Sequence, residues 1–106
     1  MNPISIRQIR VVARKIGRQL RPKKVILFGS YAYGHPNADS DVDLFIVMPS
    51  RQRPAERAAS VSKLLHPRPF PVDILVRTPQ EVRRRLALGD SFIEEIVTRG
   101  KILYEV

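Results

Sequence analysis

The spacing of apolar residues changes several times along the chain, and each change marks an element. Between residues 4 and 20, Ile6, Ile9, Ala13, Ile16 and Leu20 recur at helical spacing, with arginines largely between them. That pattern predicts an amphipathic helix ended by Pro22, which cannot continue one. Lys24 to Phe28 is short, apolar and rich in branched residues, which predicts a strand. Gly29-Ser30 breaks that strand and opens a short helix. Gly34 to Ser40 holds Gly, His, Pro, Asn, Asp and Ser, so a loop is expected there. Asp41 to Met48 is the second strand, closed by Pro49.

Pro54 suits the first turn of a helix that runs to about Leu65. The stiff connection His66-Pro67-Arg68-Pro69 leads to a third strand, Val72 to Arg77. Thr78 and Glu81 have capping-box spacing around Pro79, which predicts a helix to about Leu88, stopped by Gly89. Asp90 or Ser91 then caps a last short helix with Phe92, Ile93, Ile96 and Val97 turned inward. Gly100 ends it, and Lys101 to Tyr104 adds a small final strand. This order is not the regular alternation of a doubly wound sheet. The expected class is α/β of the α+β kind, a small mixed sheet with helices packed against it.

A length of 106 residues fits a single domain over 1–106, with little room for a separate substrate-binding domain. The absence of cysteine removes disulfides, thiolate metal sites and a cysteine nucleophile. The apolar runs are of strand length, far short of the roughly 20 residues of a membrane helix. No secretory leader is expected, which makes a soluble, cytoplasmic protein the default. The formal net charge is +9. Arg7, Arg10, Arg14, Lys15, Arg18, Arg21, Lys23 and Lys24 precede the first acidic residue, and Arg83-Arg84-Arg85 form a second cluster. Such a surface attracts nucleic acid, nucleotide or an acidic protein, and equally suits a solvated helical face.

The chemistry is concentrated in three aspartates. In a strand, alternate side chains share a face. Val42, Leu44 and Ile46 then form one face, and Asp41 and Asp43 lie on the other, about 7 Å apart. Like charges on one face repel, and a divalent cation is the obvious candidate to offset them. Asp73 repeats the puzzle within Val72-Asp73-Ile74-Leu75-Val76. If the third strand lies beside the second, all three carboxylates reach one side of the sheet. Hard oxygen ligands of this kind suit Mg²⁺ or Mn²⁺. A turn or cap role explains Asp41 as well, but not Asp43 or Asp73. Gly29 permits close backbone approach, and Ser30 with the N–H groups of a helix start makes a phosphate seat. An ordinary turn with a capping serine is the plainer role for that pair taken alone.

Together, Gly29-Ser30, ten further residues, then Asp41-x-Asp43 resemble the signature of the DNA polymerase β nucleotidyltransferase superfamily, with Asp73 as its third carboxylate. Over nearly its whole length the chain is similar to the short bacterial branch called minimal nucleotidyltransferases. The resemblance implies a polymerase β-like fold and transfer of AMP from ATP, with two Mg²⁺ ions as cofactors. It implies that Asp41 and Asp43 hold both metals, that Asp73 holds the catalytic one, and that Gly29 and Ser30 hold the β and γ phosphates. It also implies a partner, a HEPN-type toxin, with this chain as antitoxin and a toxin tyrosine as acceptor.

One position departs from the pattern. Many members carry arginine where this chain has Tyr33. Arg51, Arg53 and Arg57 are candidates to restore that charge, against a plain role at a solvated helix start. Tyr31 and Tyr33 can either stack on a base or pack on the sheet edge. His35 and His66 each precede a proline, have no second histidine at ligand spacing, and read as exposed loop residues. The alternatives to transfer onto a protein are transfer to a small molecule, and a non-catalytic module that occludes a toxin or binds nucleic acid.

Overall fold

The structure is a computed structural model, and it describes residues 3–106. Helix α1 spans Ile6–Leu20. It begins two residues later than the apolar spacing suggests, because Ser5 caps it. The Ser5 hydroxyl accepts from the Gln8 N–H, and the Gln8 side chain accepts from the Ser5 N–H. Its last turn is closed by Arg21, in the left-handed region at φ 48°, whose N–H donates to Gly17 O. The buried face is Ile9, Val12, Ala13, Ile16 and Gly17; Ile6 lies outside it. Gly17 is where the helix meets the sheet, since a Cβ there would run into the Tyr104 ring.

Strand β1 (Lys24–Phe28) leads through the four-residue helix α2 (Ser30–Tyr33) to β2 (Val42–Val47). Helix α3 (Pro54–Leu64) carries the chain to β3 (Val72–Arg77). Helices α4 (Pro79–Ala87) and α5 (Ser91–Arg99) precede the edge strand β4 (Lys101–Glu105). The sheet order is β3-β2-β1-β4. β1 is antiparallel to both of its neighbours, and β2 is parallel to β3. The parallel pair requires a crossover, which α3 supplies. This is the expected mixed α/β sheet with helices packed against it.

Alternation along the strands builds two cores. Val25, Leu27, Val42, Leu44, Ile46, Val72 and Val76 pack under α1 and α3. Ile26, Phe28, Phe45 and Val47 pack on the other face against Ile93 and Ile96 of α5, with Val82 of α4 at the margin. Each large aliphatic side chain fully buried in this way contributes roughly 1.5–3 kcal/mol. The expectation that Phe92 and Val97 also turn inward is corrected: they are 51% and 36% exposed. A nine-residue helix resting on half a sheet face can bury only its 93–96 stripe. Asp90, not Ser91, caps α5, accepting from the N–H groups of Phe92 and Ile93. Thr78 and Glu81 form the predicted capping box of α4.

The first acidic residue of the chain is Asp39, so α1 contains no acid. Its arginines are exposed, and like charges one turn apart each cost a helix about 0.2–0.5 kcal/mol. The apolar face must outweigh that cost. Among the described residues, no helix is long and apolar enough to cross a membrane.

Candidate active site

The strand directions decide where the aspartates go. β2 and β3 run the same way, and β1 runs against them. One end of the sheet therefore gathers the last residue of β1 and the first residues of β2 and β3. Phe28 is opposite Asp43 across the antiparallel pair, and Asp43 is opposite Asp73 across the parallel pair. Neighbouring strands lie about 4.8 Å apart, so Asp43 and Asp73 emerge side by side on the same face. This is the face of the second core. Phe45 and Val47 continue it toward the other end of β2, under α5. The helices leave its aspartate end uncovered enough that Asp73 is exposed and Asp43 only partly buried.

Asp41 lies one residue ahead of β2 and is exposed. The cap role considered for it belongs to its neighbours instead. The Asp39 N–H donates to Asn37 Oδ1, and the Asn37 N–H donates to Ser40 Oγ. None of the ion pairs found among the described residues includes Asp41, Asp43 or Asp73. The Asp43 carboxyl is pushed up to about 6, first by burial and then by the charges of Asp73 and Asp41.

Gly29 ties the turn to this carboxylate. Its backbone is at φ 73°, ψ −155°, a region that side chains other than glycine's rarely enter. A Cβ there would fall on the Asp43 carboxylate. Gly29 thus both makes the turn and lets β1 end against Asp43. Gly29 O accepts from the N–H groups of Ala32 and Tyr33, which winds α2. The opening N–H groups of a helix have no partner within it, and in α2 they lie one strand from Asp43.

The donor set suits a hard divalent cation in chemistry and in charge, since three carboxylates on one face lack any counter-charge. It is not assembled as a cage. Among the described residues, no three His, Cys, Asp or Glu side chains are gathered closely enough to hold a metal as they stand.

The tyrosines separate. The Tyr31 hydroxyl accepts from the Ile4 N–H at 3.0 Å, and its ring packs on the first core. Tyr33 packs on the second core, with the Arg99 guanidinium 4.6 Å from its ring centroid. Burial raises the Tyr33 phenol above its ordinary value, the Gly29 N–H opposes that, and Glu95 adds to it. Arg99 is the neighbour that the sequence did not reveal. It stands far from Tyr33 in the chain, and no local pattern links the two.

Arg57 is corrected outright. It is 8% exposed and committed to structure: Nη1 and Nη2 donate to the Glu81 carboxylate at 2.6 and 3.3 Å, and Nε donates to Gln52 O. It ties the start of α3 to the start of α4. Both starts follow the C-terminal ends of strands, at the end of the sheet away from the aspartates. Arg51 and Arg53 precede α3 at that same far end. None of the three restores a charge beside Tyr33. His35 and His66 are exposed, as expected. A cavity of about 360 Å³, floored by Ile26, Val47, Val82 and Val97, also belongs to the far end and contains no carboxylate.

A family model described as nucleotidyltransferase domain matches residues 6–103. No curated protein matches the sequence. Among solved structures, the chain is similar to a putative nucleotidyltransferase from Sulfolobus solfataricus, with a TM-score of 0.66 at 18% identity, covering 94% of this chain and 79% of that one. It is also similar to a chain of the toxin-antitoxin MntA-HpeT, solved as a mutant, with a TM-score of 0.59 at 18% identity, covering 97% of this chain and 75% of that one. At such identities these two likenesses bear on the fold.

Proposed function

The chain belongs to the nucleotidyltransferase domain family, and we propose that it transfers AMP from ATP to a hydroxyl of a partner protein, the hydroxyl oxygen bonding to the α phosphorus as the α–β phosphoanhydride breaks and pyrophosphate leaves. The observation that carries this reading is the register Asp43↔Asp73 beside the Gly29 turn. Two carboxylates without counter-charge stand one strand from a backbone turn that can receive phosphate oxygens.

In this reading Asp41, Asp43 and Asp73 are the catalytic carboxylates and would hold two Mg²⁺ ions, or Mn²⁺. Bound there, the ions would neutralise triphosphate charge and stabilise the entering and leaving oxygens. Gly29 and Ser30 hold the β and γ phosphates through backbone N–H groups and the hydroxyl. Asp41, one residue ahead of β2, is the third carboxylate of the set. Asp73, the exposed one of the register pair, would accept the proton of the attacking hydroxyl in this reading. Phe28, the cross-strand partner of Asp43, is fixed by edge contacts to Phe45 and Phe92, with centroids at 6.4 and 5.8 Å. Catalysis of this type is mainly positioning and electrostatics, which a small rigid sheet can provide.

The acceptor we propose is a tyrosine of a HEPN-type toxin, which makes this chain a type VII-like antitoxin. The likeness to a chain of the toxin-antitoxin MntA-HpeT supports this choice. A domain with its carboxylates at an open sheet end also suits a large acceptor that brings its own walls.

The test incubates the protein with a HEPN-type toxin, Mg²⁺ and ATP labelled at the α or the γ phosphate. Label from the α position on the toxin, lost when its tyrosine becomes phenylalanine, is the expected result. Label from the γ position would mean phosphoryl transfer and overturn the reading. Label only on an added small molecule would overturn the acceptor.

A further inference from the structure

The transfer reading makes no use of the outer face of α1. At about 100° per residue, Arg7, Arg10, Arg14 and Arg18 fall within an arc of about 80°. That arc is turned away from the buried Ile9, Val12, Ala13 and Ile16, and all four arginines are exposed. They form a single file, one residue per helical turn, over about 16 Å of axis. Among the described residues, none of these arginines takes part in an ion pair. The first turn of α1 contains no acid, so Arg7 also opposes the helix dipole. A face meant only for solvent gains from alternating charges; this one carries four unneutralised like charges in file. A bound polyanion would turn that repulsion into attraction.

We infer that the Arg7-Arg10-Arg14-Arg18 file is a docking surface for the sugar-phosphate backbone of a nucleic acid. The spacing of one guanidinium per turn, about 5–6 Å, can follow successive phosphates along a strand. A protein partner normally requires an apolar centre in its interface. Here the exposed large apolar residues of α1 are Ile6 and Val11, which fall on opposite sides of the file and form no continuous apolar centre, whereas phosphate contacts need only cations. α1 packs on the Leu27–Leu44 face of the sheet, and the aspartates lie on the opposite face. A strand bound to α1 is therefore held on the far side of the molecule from Asp43. The docking surface is therefore separate from the transfer site. Recognition of this kind is electrostatic and indifferent to base sequence.

The experiment measures binding of a fluorescein-labelled RNA duplex of about 20 base pairs by anisotropy across a series of NaCl concentrations. The variants are Arg10→Gln/Arg14→Gln on the file and Arg83→Gln/Arg84→Gln as a control that removes the same charge elsewhere. The file variant is expected to bind at least tenfold more weakly at low salt, with the slope of log K against log salt shallower by about 2. The control is expected to keep the wild-type slope. Glutamine is a good helix former, and relief of repulsion is expected to leave the melting temperature of the file variant unchanged or higher. Equal losses in both variants would reduce the effect to net charge and overturn the inference. Competition by polyglutamate as strong as by unlabelled RNA would overturn it in favour of an acidic protein. The assay reads binding alone, so its outcome is separate from that of the nucleotide-transfer assay.

Discussion

Asp43 and Asp73 are register partners across the parallel pair β2–β3, and burial, reinforced by the charges of Asp73 and Asp41, lifts the Asp43 carboxyl to about 6. Stability must respond to that. From about pH 4 to 6 the unfolded chain releases the Asp43 proton while the folded chain still holds it. The folded state then binds more protons, so this group's contribution to stability falls as pH rises through the window. In cation-free buffer, Asp43→Asn is expected to leave the melting temperature unchanged at pH 4 and to raise it at pH 7. Discounted for the solvent reaching this partly buried group, the gain is about 1 kcal/mol. Thermal melts at the two pH values check the sign. Added Mg²⁺ should stabilise the wild type and not the variant.

Gly29 allows a steric prediction. Gly29→Ala places a Cβ at φ 73° and against the Asp43 carboxylate. The backbone strain costs about 1–3 kcal/mol. Displacement of Asp43 should also lower nucleotide transfer by more than the loss of folded protein explains. Denaturant titration and transfer rates on the same preparation separate the two effects.

Arg57 is predicted to matter for folding and not for chemistry. Arg57→Ala leaves Glu81 without its bidentate partner and opens the α3–α4 tie. Because Glu81 is partly exposed, the expected loss is about 1–3 kcal/mol, below that of a fully buried pair. The Arg57 hydrogen bonds hold the Glu81 carboxyl below its ordinary value. This stabilisation is present above the unfolded value of 4.5 and is lost as pH falls through the folded value. Melts of wild type and Arg57→Ala should therefore converge in acid.

Arg99 lies over the Tyr33 ring and is paired with Glu95 at 3.6 Å. Tyr33→Leu keeps apolar bulk but removes the ring face that attracts the guanidinium. An exposed contact of this type contributes about 0.5–1 kcal/mol, so a small drop in stability is expected. A double-mutant cycle with Arg99→Ala should return a coupling of that size.

Most of the fold was legible in the chain, and the reasons are local. Period-two alternation in β2 and β3 set the faces of Leu44 and Asp43, and the Thr78–Glu81 spacing started α4. The convergence of Asp43 with Asp73 depended on one tertiary fact, the adjacency of β2 and β3, which the structure supplies as a parallel register. What was not legible depended on distant partners. Arg57 is read as a surface residue until Glu81, 24 residues away, is seen to bury it. Tyr33 and Arg99 meet only because α5 crosses the end of β1. Phe92 and Val97 carry the apolar pattern of an inward face, but α5 has too little sheet beneath it to cover them.

The most direct measurement of the central claim follows label from α-labelled ATP onto the HEPN-type partner with wild type and with Asp73→Asn. Asp73 is exposed and repels Asp43, so the substitution should leave the circular dichroism spectrum unchanged and the melting temperature at or slightly above wild type. Transfer by the wild type, dependent on Mg²⁺, is expected, with a loss of at least about a hundredfold in the variant. Wild-type transfer by a folded Asp73→Asn protein would contradict that claim.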